Sequence, residues 1–96
     1  MVDFENDNSI FVGTKPFMNY VTGVVIQFTT KNAQEVRVKA RGKFISRAVD
    51  IAEISVKRFL KDQIKVKDIN IDSEEFQNKE GKDVHVSIIE IVLEKI

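Results

Sequence analysis

The spacing of apolar residues changes several times along this chain, and each change marks an element. Ser9-Ile10-Phe11-Val12-Gly13 is a short apolar run ended by glycine, the pattern of a buried strand. Beyond Thr14-Lys15-Pro16, residues Phe17, Val21, Val24 and Phe28 recur at helical spacing, joined by Met18 and Val25. That predicts a helix over about 16–31 with a wide apolar stripe. Pro16 suits its first position, where a missing N–H costs nothing. From about 34 to 40 the period falls to two, with Val36, Val38 and Ala40 on one side of a strand and Arg37, Lys39 and Arg41 on the other. After Gly42 the helical period returns over about 43–60, with Ile45, Ala48, Val49, Ala52, Val56 and Phe59 as the apolar face. Alternation resumes from Gln63 to Asp72, and Asn78 to Asp83 reads as a polar loop. A last strand covers about 84–95. Its apolar residues Val84, Val86, Ile88 and Leu93 do not hold one phase, so a bulge or burial on both faces is expected.

The element order is therefore βαβαββ. It predicts an α+β fold, an α/β two-layer sandwich with two helices on one face of a mixed four-stranded sheet. The third and fourth strands form a hairpin arm with a polar tip, and a two-stranded ribbon of this kind can enter a nucleic-acid groove. Ninety-six residues suffice for one core and not two. The expected organisation is a flexible acidic tail over 1–8 and a single domain over 9–96.

Charge sharpens the picture. Fifteen basic residues balance fifteen acidic ones, which is unusual for a domain that coats nucleic acid by electrostatics alone. The distribution is uneven, however. Between Lys31 and Arg47 six cations face the single anion Glu35. Asp3, Glu5 and Asp7 make the first residues acidic, and Asp68, Asp72, Glu74 and Glu75 do the same for a later stretch. A cationic strand, a glycine turn carrying Lys43 and a helix start carrying Arg47 form a corner suited to a polyanion such as a phosphate backbone. Lys15, beside the start of the first helix, adds a cation where backbone N–H groups also face anions.

Other chemistries find little support. The chain has no cysteine, which excludes disulfides and thiolate metal sites. No apolar run approaches the roughly 20 residues of a membrane helix. The acidic start is no secretory signal, so a soluble, cytoplasmic protein is expected. His85 stands alone without ligand-spaced partners, so no metal is expected. Ser46, Asp50 and His85 could be assembled into a triad on paper, but no nucleophile elbow or phosphate loop accompanies them. No catalysis, cofactor or small-molecule substrate is expected.

The segments Val12-Gly13-Thr14-Lys15-Pro16-Phe17-Met18-Asn19-Tyr20-Val21, Lys39-Ala40-Arg41-Gly42-Lys43 with Ile45-Ser46-Arg47-Ala48-Val49-Asp50, Arg58-Phe59-Leu60 and Val86-Ser87-Ile88-Ile89-Glu90-Ile91 stand in the order and spacing of one family. From Ser9 onward the chain resembles the Alba family of small archaeal chromatin and RNA-associated proteins. The resemblance implies a fold similar to the C-terminal domain of translation initiation factor three. It implies a homodimer whose two hairpins embrace duplex DNA or RNA, and assembly of dimers along the nucleic acid. It assigns Thr14, Lys15, Asn19, Arg41, Lys43 and Arg47, with Lys79 and Lys82 on the hairpin, to nucleic-acid contact. It assigns Phe59 to contact between dimers. A competing expectation is a subunit that binds RNA or scaffolds an RNA-processing complex.

Three departures bear on function. The family often carries paired lysines before the proline, a position associated with control by acetylation. Here Thr14 replaces the first, so the resemblance does not carry that control over to this chain. The hairpin sets Glu80 and Asp83 beside Lys79 and Lys82, and His85 stands where arginine is frequent. The net charge is zero. Together these predict weaker or more selective binding than that of an abundant packaging protein.

Overall fold

In the computed structural model, which describes residues 8–96, the periods of the sequence become strands and helices in the predicted order. Strand β1 (Ser9–Phe11) leads to helix α1 (Phe17–Thr29), strand β2 (Glu35–Arg41), a 3₁₀ turn (Gly42–Phe44) and helix α2 (Ile45–Ile54). A π-helical turn (Ser55–Phe59) then precedes the hairpin strands β3 (Ile64–Gln77) and β4 (Asp83–Lys95). The sheet order is β1-β2-β4-β3, with β1 parallel to β2 and the other neighbours antiparallel. The mixed four-stranded sheet with two helices is the expected α+β architecture. The expected tail over 1–8 lies, except for Asn8, outside the described residues. Asn8 itself is tied down, its side-chain amide donating to the Glu35 carbonyl at 3.2 Å.

One face of the sheet makes the core. Val36, Val38 and Ala40 of β2 pair in register with Leu93, Ile91 and Ile89 of β4, and all six are buried. Tyr20, Val21, Val24 and Phe28 of α1 and Ala48, Ile51 and Ala52 of α2 complete it. β1 is buried at Ser9 and Ile10, while Phe11 turns to the open face and is 58% exposed. The apolar run that predicts a buried strand holds for Ile10 and Val12 and fails at Phe11.

The second helix differs from its predicted face. Ala48, Ile51, Ala52 and Ser55 point inward, whereas Val49 and Phe59 are exposed. For Phe59 the cause is the π-helical turn, in which the Leu60 N–H bonds the Ser55 carbonyl at 2.9 Å. Five residues per closed ring advance the helix face. Leu60 therefore enters the core in place of Phe59.

The phase change expected in the last strand has its counterpart across the ladder. β3 switches from the pair Ile64 and Val66 to the pair Ile69 and Ile71. Opposite consecutive β4 residues Leu93 and Val92 stand Val66 and Asp68, so Lys67 is the extra residue of a β-bulge. β4 itself is buried on both faces at Ile91, Val92 and Leu93. β3 also runs five residues past the predicted Asp72, because Ser73 to Gln77 pair with β4 although their own pattern is polar.

The β2–β4 ladder ends at Arg41 opposite Ile88, while β3 and β4 continue paired to Gln77 opposite Asp83. At about 3.4 Å per residue this free ribbon projects some 17 Å. Its turn is built rather than loose. The Asn78 side chain accepts from the N–H groups of Glu80 at 2.9 Å and Lys82 at 3.1 Å. Gly81 takes a positive φ of 79° that an L side chain rarely adopts. Lys79 and Lys82 stand exposed at this tip.

Candidate nucleic-acid interface

Topology gathers the candidate residues at one edge. β1, β2 and β3 all run toward that edge, so the β1–α1 loop, the β2–α2 corner and the hairpin tip leave from it. Both helices begin there, with their positive dipole ends toward it.

The β1–α1 loop is held by Tyr20. Its hydroxyl accepts from the backbone N–H of Gly13 at 3.0 Å and of Lys15 at 3.1 Å. The Arg47 guanidinium donates to the Gly13 carbonyl and lies 5.7 Å from the centre of the Tyr20 ring. Arg47 therefore joins the start of α2 to the Lys15 loop. The sequence places Arg47 in the corner suited to a polyanion, and the structure directs its side chain to the loop. Thr14 and Asn19 are exposed beside Lys15, which is half-buried.

The glycine corner carries the other cations. Gly42 has φ of 54°, a left-handed conformation that explains glycine between Arg41 and Lys43. Lys43 is exposed, its ammonium 5.4 Å from the centre of the Phe44 ring. Arg41 reaches across to the hairpin and pairs with Glu74 at 2.7 Å, both side chains more than half exposed. The alternating pattern of β2 gave no sign of this partner, which lies 33 positions away in the chain.

The remaining β2 cations are also spent within the fold. Arg37 pairs with Glu35 at 3.0 Å and with Glu90 at 3.6 Å, and Lys39 pairs with Glu90 at 3.6 Å. Lys67, the bulge residue, reaches Glu35 at 2.8 Å, and Lys65 pairs with Glu94 at 3.6 Å. The open face of the sheet is a charge-balanced net. The cationic strand read from the sequence needs correction: its charges are balanced side by side in space, because β4 and β3 set acids against β2.

Glu35 is the hub of that net. The hydrogen bond from Lys67 and then that from Arg37 hold its carboxyl below the ordinary 4.5. A carboxylate with a depressed folded-state pKa contributes stability that is fully present above the unfolded value. That contribution is lost as pH falls through the folded one. The acid-induced loss of stability below about pH 4.5 is therefore expected to shrink in Glu35→Gln. Urea midpoints at pH 7 and pH 3 for both proteins check this, with a smaller pH difference expected in the variant.

Phe59 is 49% exposed at the π-helical turn and is not part of the core. His85 is exposed on the ribbon, and among the described residues no cluster of His, Cys, Asp and Glu could hold a metal ion. No helix of the described residues is long and apolar enough to cross a membrane.

Comparison with known proteins agrees with this fold. The Alba family profile matches residues 8–73. The DNA/RNA-binding protein Alba of Methanococcus maripaludis is 53% identical over 89 residues, covering 93% of this chain and 99% of that protein. The DNA/RNA-binding protein Alba 1 of Archaeoglobus fulgidus is 55% identical over 89 residues, covering 93% and 97%. Among solved structures, Alba from Thermoplasma volcanium superimposes with a TM-score of 0.81 at 50% identity, covering 91% of this chain and 99% of that one. ALBA1 from Trypanosoma brucei superimposes with a TM-score of 0.70 at 27% identity, covering 95% and 71%. With two thirds of its length matched by the family profile and more than half of its aligned residues identical to those of full-length relatives, the chain belongs to the Alba family.

Proposed function

We propose that this protein is a non-enzymatic nucleic-acid-binding protein that clamps duplex DNA or RNA as a homodimer. The observation that carries the reading is the single edge that collects Lys15, Arg41, Lys43, two helix N-termini and the projecting ribbon with Lys79 and Lys82. Such an edge neutralises phosphates and releases counterions, which supplies affinity without sequence readout. Thr14 and Asn19 add neutral hydrogen-bonding groups beside Lys15. Arg47 serves mainly by fixing the loop that carries Lys15. The two arms of a dimer grip the duplex from either side, and Phe59 joins dimers along it. On this reading the partners are chromosomal DNA and RNA.

Binding is weaker than that of a strongly basic relative because Arg41 already has an anionic partner. A phosphate must displace Glu74 to reach it. The test is a titration of the protein against matched DNA and RNA duplexes at several salt concentrations. Each phosphate contact contributes a slope of roughly −0.9 in log K against log salt on B-DNA. Lys15→Ala is expected to lower affinity and flatten that slope, and Lys15→Glu to lower affinity further, because it adds repulsion. Equal affinities for the two variants would place Lys15 away from the ligand. Failure of the unsubstituted protein to bind either duplex at low salt would overturn the clamp.

A further inference from the structure

On the face of the sheet away from the helices, next to the basic corner, lies an open depression of about 590 Å³. Phe11, Phe44, Val86 and Ile88 give it apolar walls, and Lys39, Arg41 and Glu74 give it charge. The volume falls within the range of small-ligand sites, roughly 300–1,000 Å³. We propose that this depression receives one unpaired RNA nucleotide, its base against Phe11 and its phosphate on Arg41 and Lys43. The proposal rests on the nucleic-acid-binding reading above and adds a site to it.

Three observations favour that occupant. The Phe11 ring is 58% exposed on an edge strand, with the Lys39 ammonium 5.4 Å from its centre. A flat apolar group can stack on such a ring, and every base has a π-face to offer. Cations stand directly beside the apolar walls, so the ligand joins a flat ring to an anion, as a nucleotide does. The depression also opens onto the edge proposed to hold phosphates, so a strand running along that edge places its bases within reach. Bases stacked inside a duplex cannot enter. Bulges, loops and frayed ends of folded RNA present bases that can.

Glu74 adds selectivity. It pairs with Arg41 at 2.7 Å across exposed side chains, and a surface ion pair of this kind contributes little. A phosphate that takes Arg41 leaves the Glu74 carboxylate as an acceptor at the pocket. A carboxylate offers acceptors only. Guanine presents two adjacent donors, N1–H and N2–H, on its pairing edge. Uracil presents one donor between two acceptors. The pocket therefore favours an unpaired guanosine over an unpaired uridine.

The test compares three RNA hairpins of equal stem length: fully paired, with one bulged guanosine and with one bulged uridine. Affinities are read by fluorescence anisotropy. The unsubstituted protein is expected to bind the bulged guanosine about tenfold more tightly than the paired stem, in line with the stacking of one base on an aromatic ring. Phe11→Ala should abolish that preference while leaving affinity for the paired stem within about twofold, since this side chain faces solvent. Glu74→Gln should bring guanosine and uridine bulges together and bind the paired stem more tightly, because Arg41 is released. Normal binding to the paired stem without preference for the bulge overturns the pocket and leaves the clamp standing. A preference that survives Phe11→Ala overturns it too, because the base then sits elsewhere. Absence of binding to all three hairpins at low salt overturns both.

Discussion

Replacing Arg41 and Lys43 together by alanine is expected to weaken duplex binding roughly 10²-fold and to flatten its salt dependence. An exposed ion pair contributes about 0.2–1 kcal/mol, and a dimer loses two of them on each protomer, together about 3 kcal/mol. The loss should be similar for all duplex sequences, because phosphate contacts position a protein without reading bases. Neither substitution endangers the fold. Both side chains are exposed, and the corner between them depends on Gly42. The single variants should differ in an informative way. Lys43 has no carboxylate partner among the described ion pairs, whereas Arg41 must first leave Glu74. Lys43→Ala is therefore expected to cost more affinity than Arg41→Ala. Salt titrations of the two single variants and the double variant on one duplex check both statements. A loss confined to one sequence would contradict a backbone role.

That asymmetry lies beyond what the sequence makes legible. Periods of two and of 3.6 locate every strand and helix, because burial of one face is a local demand that local spacing records. The glycine corner is legible too, since a left-handed residue between two cations needs glycine. What the chain hides is which charges meet. Arg41 finds Glu74, and Arg37 and Lys39 share Glu90, only because β4 lies between β2 and β3 in the sheet. The order of strands in space is a tertiary fact, and a run of six cations read along the chain overstates the field at its surface. The same limit applies to Phe59 and Leu60. Helical spacing places Phe59 inward, and a single wide turn exchanges the two. The bulge at Lys67 is an intermediate case. The shift from Ile64 and Val66 to Ile69 and Ile71 is visible in the sequence, but its meaning depends on the register of the partner strand.

The hairpin base carries the second large effect. Beyond the bulge, Ile69 and Ile71 lie on the same face of the sheet as the core residues Ile91 and Ile89, their partners in register. The helices do not reach them, and they are 56% and 80% exposed, with Val66 beside them at 37%. Adjacent branched apolar side chains left in water at the root of an arm fit the contact surface of the proposed dimer, where a second copy continues the core. Ile71→Asp is therefore expected to give a folded monomer. The ladder around residue 71 keeps its backbone bonds and the side chain is 80% exposed, so far-UV circular dichroism should match that of the unsubstituted protein. A buried charge at a two-fold contact appears on both protomers and meets no partner, which opposes association strongly. Sedimentation should show the halved mass. Duplex affinity should fall as well, by about 10²–10⁴, because one arm without its twin loses the gain of binding at two linked sites. Since Ile71 lies on the helix side and the Arg41 corner on the edge, the loss should appear without a change in each protomer's own phosphate contacts. A dimer that persists in Ile71→Asp would place the interface elsewhere, with Phe59 and Val49 of the second helical region as the next exposed apolar side chains to exchange.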